Sequence, residues 1–200
     1  MQTISELPAK LLVKSPIKSP LTSKQIEQFH RDGFLVVEDV VPTDVVDRVV
    51  ERFEPLFSGE FETGTYPDEW HWNPQLGKPG AAAQMTGVWR CDRTIASVAM
   101  AAKIGQIAAA LEGWSGARLL TDGIWQKPSG AKETTLHQDS MYVNYHTPTA
   151  VITCWIALRN AIPGASTIEY ARGSHQWLLS QAVAEFHNQD KSHLAEMEKA

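Results

Sequence analysis

Apolar positions keep helical spacing early in the chain and fall into short runs later. Leu21-Thr22 opens a helix over Ser23 to Arg31, with Thr22 or Ser23 able to cap its first turn and Asp32-Gly33 closing it. Phe34 to Val37 is a short apolar run directly after a glycine and reads as a strand. Pro42-Thr43-Asp44 starts a second helix in which Val45, Val46, Val49, Val50 and Phe53 share one side. Pro55 should end or kink it, because the proline ring clashes with the preceding turn. Residues 58–90 are irregular and rich in Gly, Pro and aromatic side chains, a composition that suits a functional loop. Asp92 to Leu111 is Ala-rich and helical, in two pieces around Lys103-Ile104-Gly105, and Gly113 and Gly116 end it. Strands are then expected at 117–127, 134–138, 150–158 and 166–170, separated by Pro128-Ser129-Gly130 and Pro163-Gly164. A polar, helical stretch runs from Leu178 to Ala200.

Helices first and strands second predict an α+β fold, a β-core with helices packed outside it. The order does not by itself select a jelly roll. Residues 1–20, with Pro8, Pro16 and Pro20 among scattered Ser and Lys, read as an irregular segment before a domain spanning 21–200.

Composition narrows the function classes. The 200 residues fit one domain, and 43% hydrophobic with 20% charged residues is ordinary for a globular chain. A net charge of -5 without a dense Lys/Arg cluster argues against nucleic-acid binding, which needs clustered positive charge. No apolar stretch reads as long enough to span a bilayer, and Leu11-Leu12-Val13 is too short for a signal-peptide core, so no membrane partner is expected. Two cysteines, Cys91 and Cys154, are too few for a disulfide framework, and Cys154, inside an apolar run, is expected to be a buried thiol. A reducing, cytoplasmic location is the default expectation.

The chemistry concentrates at Thr134-Thr135-Leu136-His137-Gln138-Asp139. On a strand, side chains alternate faces, so Thr135, His137 and Asp139 share one face and Gln138 takes the other. An imidazole and a carboxylate two residues apart can grip one cation from adjacent positions. One more histidine would complete a two-His, one-carboxylate set, which leaves coordination positions open on iron(II); zinc or manganese would also suit these donors. By itself His-x-Asp is common, and a surface histidine beside an aspartate is its ordinary explanation.

Other segments add weight, in a fixed order. They are Leu21-Thr22 through Gln25-Ile26 to Phe29 with Asp32-Gly33-Phe34-Leu35-Val36-Val37; Trp125-Gln126-Lys127-Pro128; His137-Gln138-Asp139 with Tyr142; Cys154-Trp155-Ile156-Ala157-Leu158; and Gly173-Ser174-His175. Over residues 21 to 178 the chain resembles the phytanoyl-CoA dioxygenase family. The resemblance implies a double-stranded β-helix (a cupin-like jelly roll) with N-terminal helices outside it. It also implies Fe(II), with 2-oxoglutarate and dioxygen as co-substrates, and hydroxylation of an unidentified small organic substrate. His137 and Asp139 carry over as iron ligands. Trp155 matches a position lining the 2-oxoglutarate pocket, and Gln126 and Lys127 are candidates to approach that co-substrate. Lys127 would give charge complementarity to a carboxylate, or else it simply ends a strand in solvent. In related iron halogenases a small residue replaces the carboxylate, so Asp139 points to hydroxylation. Trp70, His71, Trp72 and Tyr142 are candidates to shape a substrate pocket, with plain packing as the alternative.

There are departures from the family pattern. Arg172 stands where relatives have proline before Gly-Ser-His, and Arg159-Asn160 stand where acidic residues often follow. A distal histidine and a basic residue that pairs with 2-oxoglutarate are expected on later strands, yet nothing after residue 178 reads as a core strand. The expectation is therefore a domain incomplete at its C-terminus, a fragment or a truncated variant, that lacks both residues and is inactive alone. His175 reads as a hydrogen-bonded turn histidine, His187 and His193 as solvent-facing, His146 as a rim residue, and His30 as part of the opening helix. The competing readings are a non-catalytic jelly-roll binding or regulatory protein and a zinc hydrolase, which would need three good ligands and an activated water.

Overall fold

The structure is a computed structural model that describes residues 19–71, 82–131, 134, 136–139, 151–164 and 167–177. Expectations for Trp72, Thr135, Tyr142, His146 and the stretch 178–200 lie outside the described residues.

Helix α1 (Ser23–Asp32) forms where its end signals place it. The Thr22 side chain accepts from the Gln25 backbone at 3.3 Å while the Gln25 side chain accepts from the Thr22 N–H at 2.9 Å, a reciprocal box that satisfies two orphan donors. Gly33, at φ 84°, takes the left-handed conformation that ends the helix, its N–H bonded to the Phe29 carbonyl at 2.8 Å. Helix α2 (Thr43–Glu51) buries Val49. Pro55 does not stop it: α2 ends at Glu51, and Pro55 sits in the first turn of a short helix α3 (Phe53–Phe57), where no intrahelical N–H bond is required of it.

Two strands lie inside the segment expected to be irregular. Strands β1 (Glu69–Trp70), β2 (Ala83–Thr86) and β3 (Gly123–Gln126) make an antiparallel sheet in the order β1-β2-β3. Trp70 stands opposite Met85, and Met85 opposite Ile124. Elements of two and four residues are too short for periodicity to reveal. Two strands thus precede the next helices, and the helices-then-strands order is corrected to a mixed one.

Helix α4 (Arg93–Ala99) and helix α5 (Ala102–Glu112) divide at Met100–Ala101, not at the expected Lys103-Ile104-Gly105. Ala101 has extended backbone, which interrupts the helix, while Gly105 stays helical with the Ala117 carbonyl opposite its missing side chain. By length and composition alone the 20-residue span Arg93–Glu112 is apolar enough to cross a membrane, which corrects the expectation that no such stretch exists. The break at Ala101 opens the hydrogen-bond ladder in the middle of that span, where a membrane-crossing helix would keep it closed.

The core gathers Val49, Leu56, Phe57, Ala83, Met85, Val88, Cys91, Ile95 and Ile124, with Phe53, Phe61, Trp70, Val98 and Leu158 packed against it. Burial pushes the Cys91 thiol up to about 11, so it is an inert filler of that core. Asp92, fully buried, caps α4 by accepting from the Ile95 N–H at 3.0 Å and receives Arg52 Nε at 2.6 Å, which ties the α2–α3 junction to α4.

The later strands do not appear as expected. β3 covers only Gly123–Gln126 of the predicted 117–127, and among the described residues 34–37, 136–138, 151–158 and 167–170 are in no ladder. Apolar alternation selects an inward face, but a strand exists only where a neighbouring strand accepts its backbone groups. In 151–158 the half-buried positions are Ile152, Ile156 and Leu158, and Cys154 faces outward, so the expected buried thiol is exposed. Neighbouring atoms still desolvate its sulfur enough to push the thiol pKa up. The described architecture is α+β: helices around a small antiparallel sheet.

Candidate metal centre

The side chains of His137 and Asp139 meet. Nε2 of His137 lies 3.3 Å from Oδ1 of Asp139, with the side chains 27% and 51% exposed, so the pair is anchored yet open to solvent. Gln138, between them in the chain, bonds elsewhere: its amide donates to the Ser174 carbonyl at 2.9 Å. The second carboxylate oxygen is also engaged: the Thr153 hydroxyl donates to Asp139 Oδ2 at 2.5 Å. The hydrogen bond with His137 holds Asp139 below the usual carboxylate range against a burial effect that pushes it up, and Thr153 adds to the lowering. Tyr170 stands close enough that burial first, then the Asp139 charge and Cys154, raise its phenol pKa.

The Gly173-Ser174-His175 turn is seated on the end of α1. The Gly173 N–H donates to the Asp32 carbonyl at 2.8 Å, and His175 Nε2–H donates to the His30 carbonyl at 3.1 Å. The imidazole lies over Gly33, where a Cβ would come within 2.3 Å of Nδ1. Asp32 itself is buried, bonded to Arg31 at 2.9 Å from two nitrogens, with Arg172 at 3.6 Å; the Arg31 hydrogen bond lowers its pKa most. Phe34 stacks flat on Tyr170 with ring centroids 4.9 Å apart. His175 is therefore a turn histidine bonded to α1, as its sequence context suggested.

The remaining sequence candidates are placed as follows. Gln126 is exposed at the end of β3, opposite Ala83. Lys127 donates to the Thr134 hydroxyl at 3.3 Å, in a half-buried position. Trp155 is half exposed. Trp70 packs edge-on against Phe61 at 5.5 Å beside the core, its indole N–H buried without a partner. His71 is exposed and pairs with Glu69 at 3.2 Å. Sequence reasoning missed Thr153, which bonds Asp139 across 14 residues, and Tyr170, whose phenol feels the Asp139 charge. No local signal marks either one.

The donors fit a divalent cation. A metal bound through bonds of about 2.1 Å at right angles sets two donors about 3.0 Å apart, and the observed separation is 3.3 Å. The two side chains now face each other in a hydrogen bond, which a bound cation would displace. Among the described residues no third His, Cys, Asp or Glu joins the pair.

The imidazole–carboxylate pair is half-open and is braced from outside its own segment by Thr153. The sequence model of phytanoyl-CoA dioxygenase (PhyH) matches residues 29–199, and the chain belongs to that family. Family members are generally 2-oxoglutarate-dependent dioxygenases that use iron(II), 2-oxoglutarate and oxygen on small-molecule substrates. No curated protein and no solved structure matches the chain.

Proposed function

We propose that this chain is an Fe(II)/2-oxoglutarate-dependent oxygenase domain that hydroxylates a small organic substrate, with His137 and Asp139 as two of its iron ligands in a double-stranded β-helix. The observation that carries the reading is the 3.3 Å approach of His137 Nε2 to Asp139 Oδ1, with Oδ2 held by Thr153. Iron(II), when bound, supplies the oxidative decarboxylation of 2-oxoglutarate and the oxidation of a substrate C–H bond. The protein's part is geometric. Thr153 occupies one carboxylate oxygen and leaves the other beside the imidazole, so Asp139 presents a single donor atom. A carboxylate is ionised at neutral pH, so Asp139 offers a charged donor there. Lys127 and Gln126 at the end of β3, with Trp155, are the proposed contacts to the dicarboxylate, with charge complementarity at Lys127. Asp139 itself directs the outcome to hydroxylation, since it fills the position that halogenating relatives leave to chloride.

Calorimetric titration of 2-oxoglutarate with and without Fe(II), under anaerobic conditions, tests the reading. Binding that requires iron and disappears in His137→Ala supports it. Iron-independent binding, or none, would count against it.

A further inference from the structure

We propose that the Gly173–Gln176 turn is a clasp that positions the iron pair by fixing it to the C-terminal end of α1, and that Gln138, His175 and Gly33 are positioning residues for metal binding. The inference rests on the iron reading above and adds what holds the pair in place.

The motif His137-Gln138-Asp139 is in no ladder among the described residues, so its direction is set by other contacts. One reaches outward from its centre: the Gln138 amide donates to the Ser174 carbonyl at 2.9 Å, across 36 residues. Gln138 lies between His137 and Asp139 in the chain, so the bond that fixes its side chain also restrains the backbone that carries both donors. Ser174 is itself immobilised. The residue before it donates to the Asp32 carbonyl at 2.8 Å, and the residue after it donates to the His30 carbonyl at 3.1 Å. Those two carbonyls belong to the last turn of α1, where orphan acceptors are available. The capping box at the other end of α1 makes the helix a rigid support.

Gly33 makes the seating possible. Its φ of 84° ends the helix, and the missing side chain leaves the space that the His175 imidazole fills, where any Cβ would lie 2.3 Å from Nδ1. Arg172, 3.6 Å from the buried Asp32, adds an ionic contact on the far side of the turn. The chain of contacts therefore runs from α1 through His175 and Ser174 to Gln138 and then to the two donors. Outer contacts that orient metal ligands commonly govern affinity by about 10- to 100-fold.

The test measures Co(II) binding, not turnover, on the 200-residue chain by anaerobic absorbance titration, alongside thermal melts. His175→Leu removes the bond to His30, and Gln138→Leu removes the bond to Ser174 while leaving the turn on α1. Both are expected to weaken Co(II) about tenfold, and His175→Gln, which restores an N–H at the Nε2 position, is expected to recover most of that loss. A core variant, Leu56→Ala, controls for lost stability: it is expected to lower the melting temperature at least as much and keep Co(II) affinity in its folded fraction. Wild-type affinity in both His175→Leu and Gln138→Leu, with affinity lost in His137→Ala, would overturn the clasp and leave the iron pair standing. Undiminished affinity in His137→Ala would overturn both. Should His175→Leu fail to fold, Gln138→Leu alone decides, because it leaves every contact between the turn and α1 in place.

Discussion

Between Leu21 and Gln126 the helices and the small sheet share a core of buried side chains, centred on Leu56, Met85, Val88 and Cys91. From Thr134 to Trp177 the described residues are half-buried or exposed, and in that stretch Leu158 packs against the core. The second region is attached by named contacts instead: Gly173 and His175 bond to α1 and Tyr170 stacks on Phe34, while Gln138 to Ser174 and Thr153 to Asp139 tie the region to itself. Burial holds the first region, where any well-fitting apolar side chain serves. Directional contacts hold the second, where the identity of one atom decides whether His137 and Asp139 keep their approach.

That difference can be broken at either end. Leu56→Ala, at a fully buried position, is expected to cost about 3 kcal/mol of folding free energy, read from denaturant melts, with the metal affinity of the folded fraction within twofold of wild type. A matching loss of metal affinity would show that the two regions are one cooperative unit. Gly33→Ala is the next largest effect, about 2 kcal/mol from left-handed backbone strain, with His175 also displaced. Unlike the core variant it should lower stability and metal affinity together, and calorimetry with a Co(II) titration checks both. Thr153→Val is expected to leave the melting temperature nearly unchanged and to weaken metal binding about tenfold, roughly 1.4 kcal/mol, because Asp139 then rotates about its end; Thr153→Ser restores it.

The smallest effect is a pH dependence. Folding lowers the Asp32 pKa, chiefly through the Arg31 hydrogen bond, so the ionised carboxylate favours the folded state. That contribution is complete above the unfolded carboxyl range, about pH 4, and fades as pH falls through the lower folded value. Asp32→Asn should flatten the acid limb of a stability-versus-pH profile, by a small amount because Arg31 is solvent-exposed. An unchanged limb would place the acid sensitivity elsewhere.

What the sequence disclosed follows the same division. Thr22, Gln25 and Gly33 announce α1, and the valines of α2 announce its buried side, because caps and helical spacing are local signals. Period-two alternation suggested His137 and Asp139 as a pair; their side chains do approach each other, although the described residues around them form no strand. The strands β1 and β2 were not legible, being two and four residues long and defined by partners far along the chain. Val36, read as part of a strand, is 72% exposed: its apolar character says nothing about whether a neighbouring strand is there. Thr153, Tyr170 and the seat of His175 on Gly33 depend on contacts across 14 to 145 residues, and no local pattern carries them.

The most direct measurement is an anaerobic Fe(II) titration of the wild-type chain beside His137→Ala and Asp139→Ala. If one imidazole nitrogen and one carboxylate oxygen share the ion, the wild type binds a single equivalent and each replacement weakens it by at least about tenfold. Equal iron affinity in all three proteins would mean that these two side chains, close as they are, hold no metal between them.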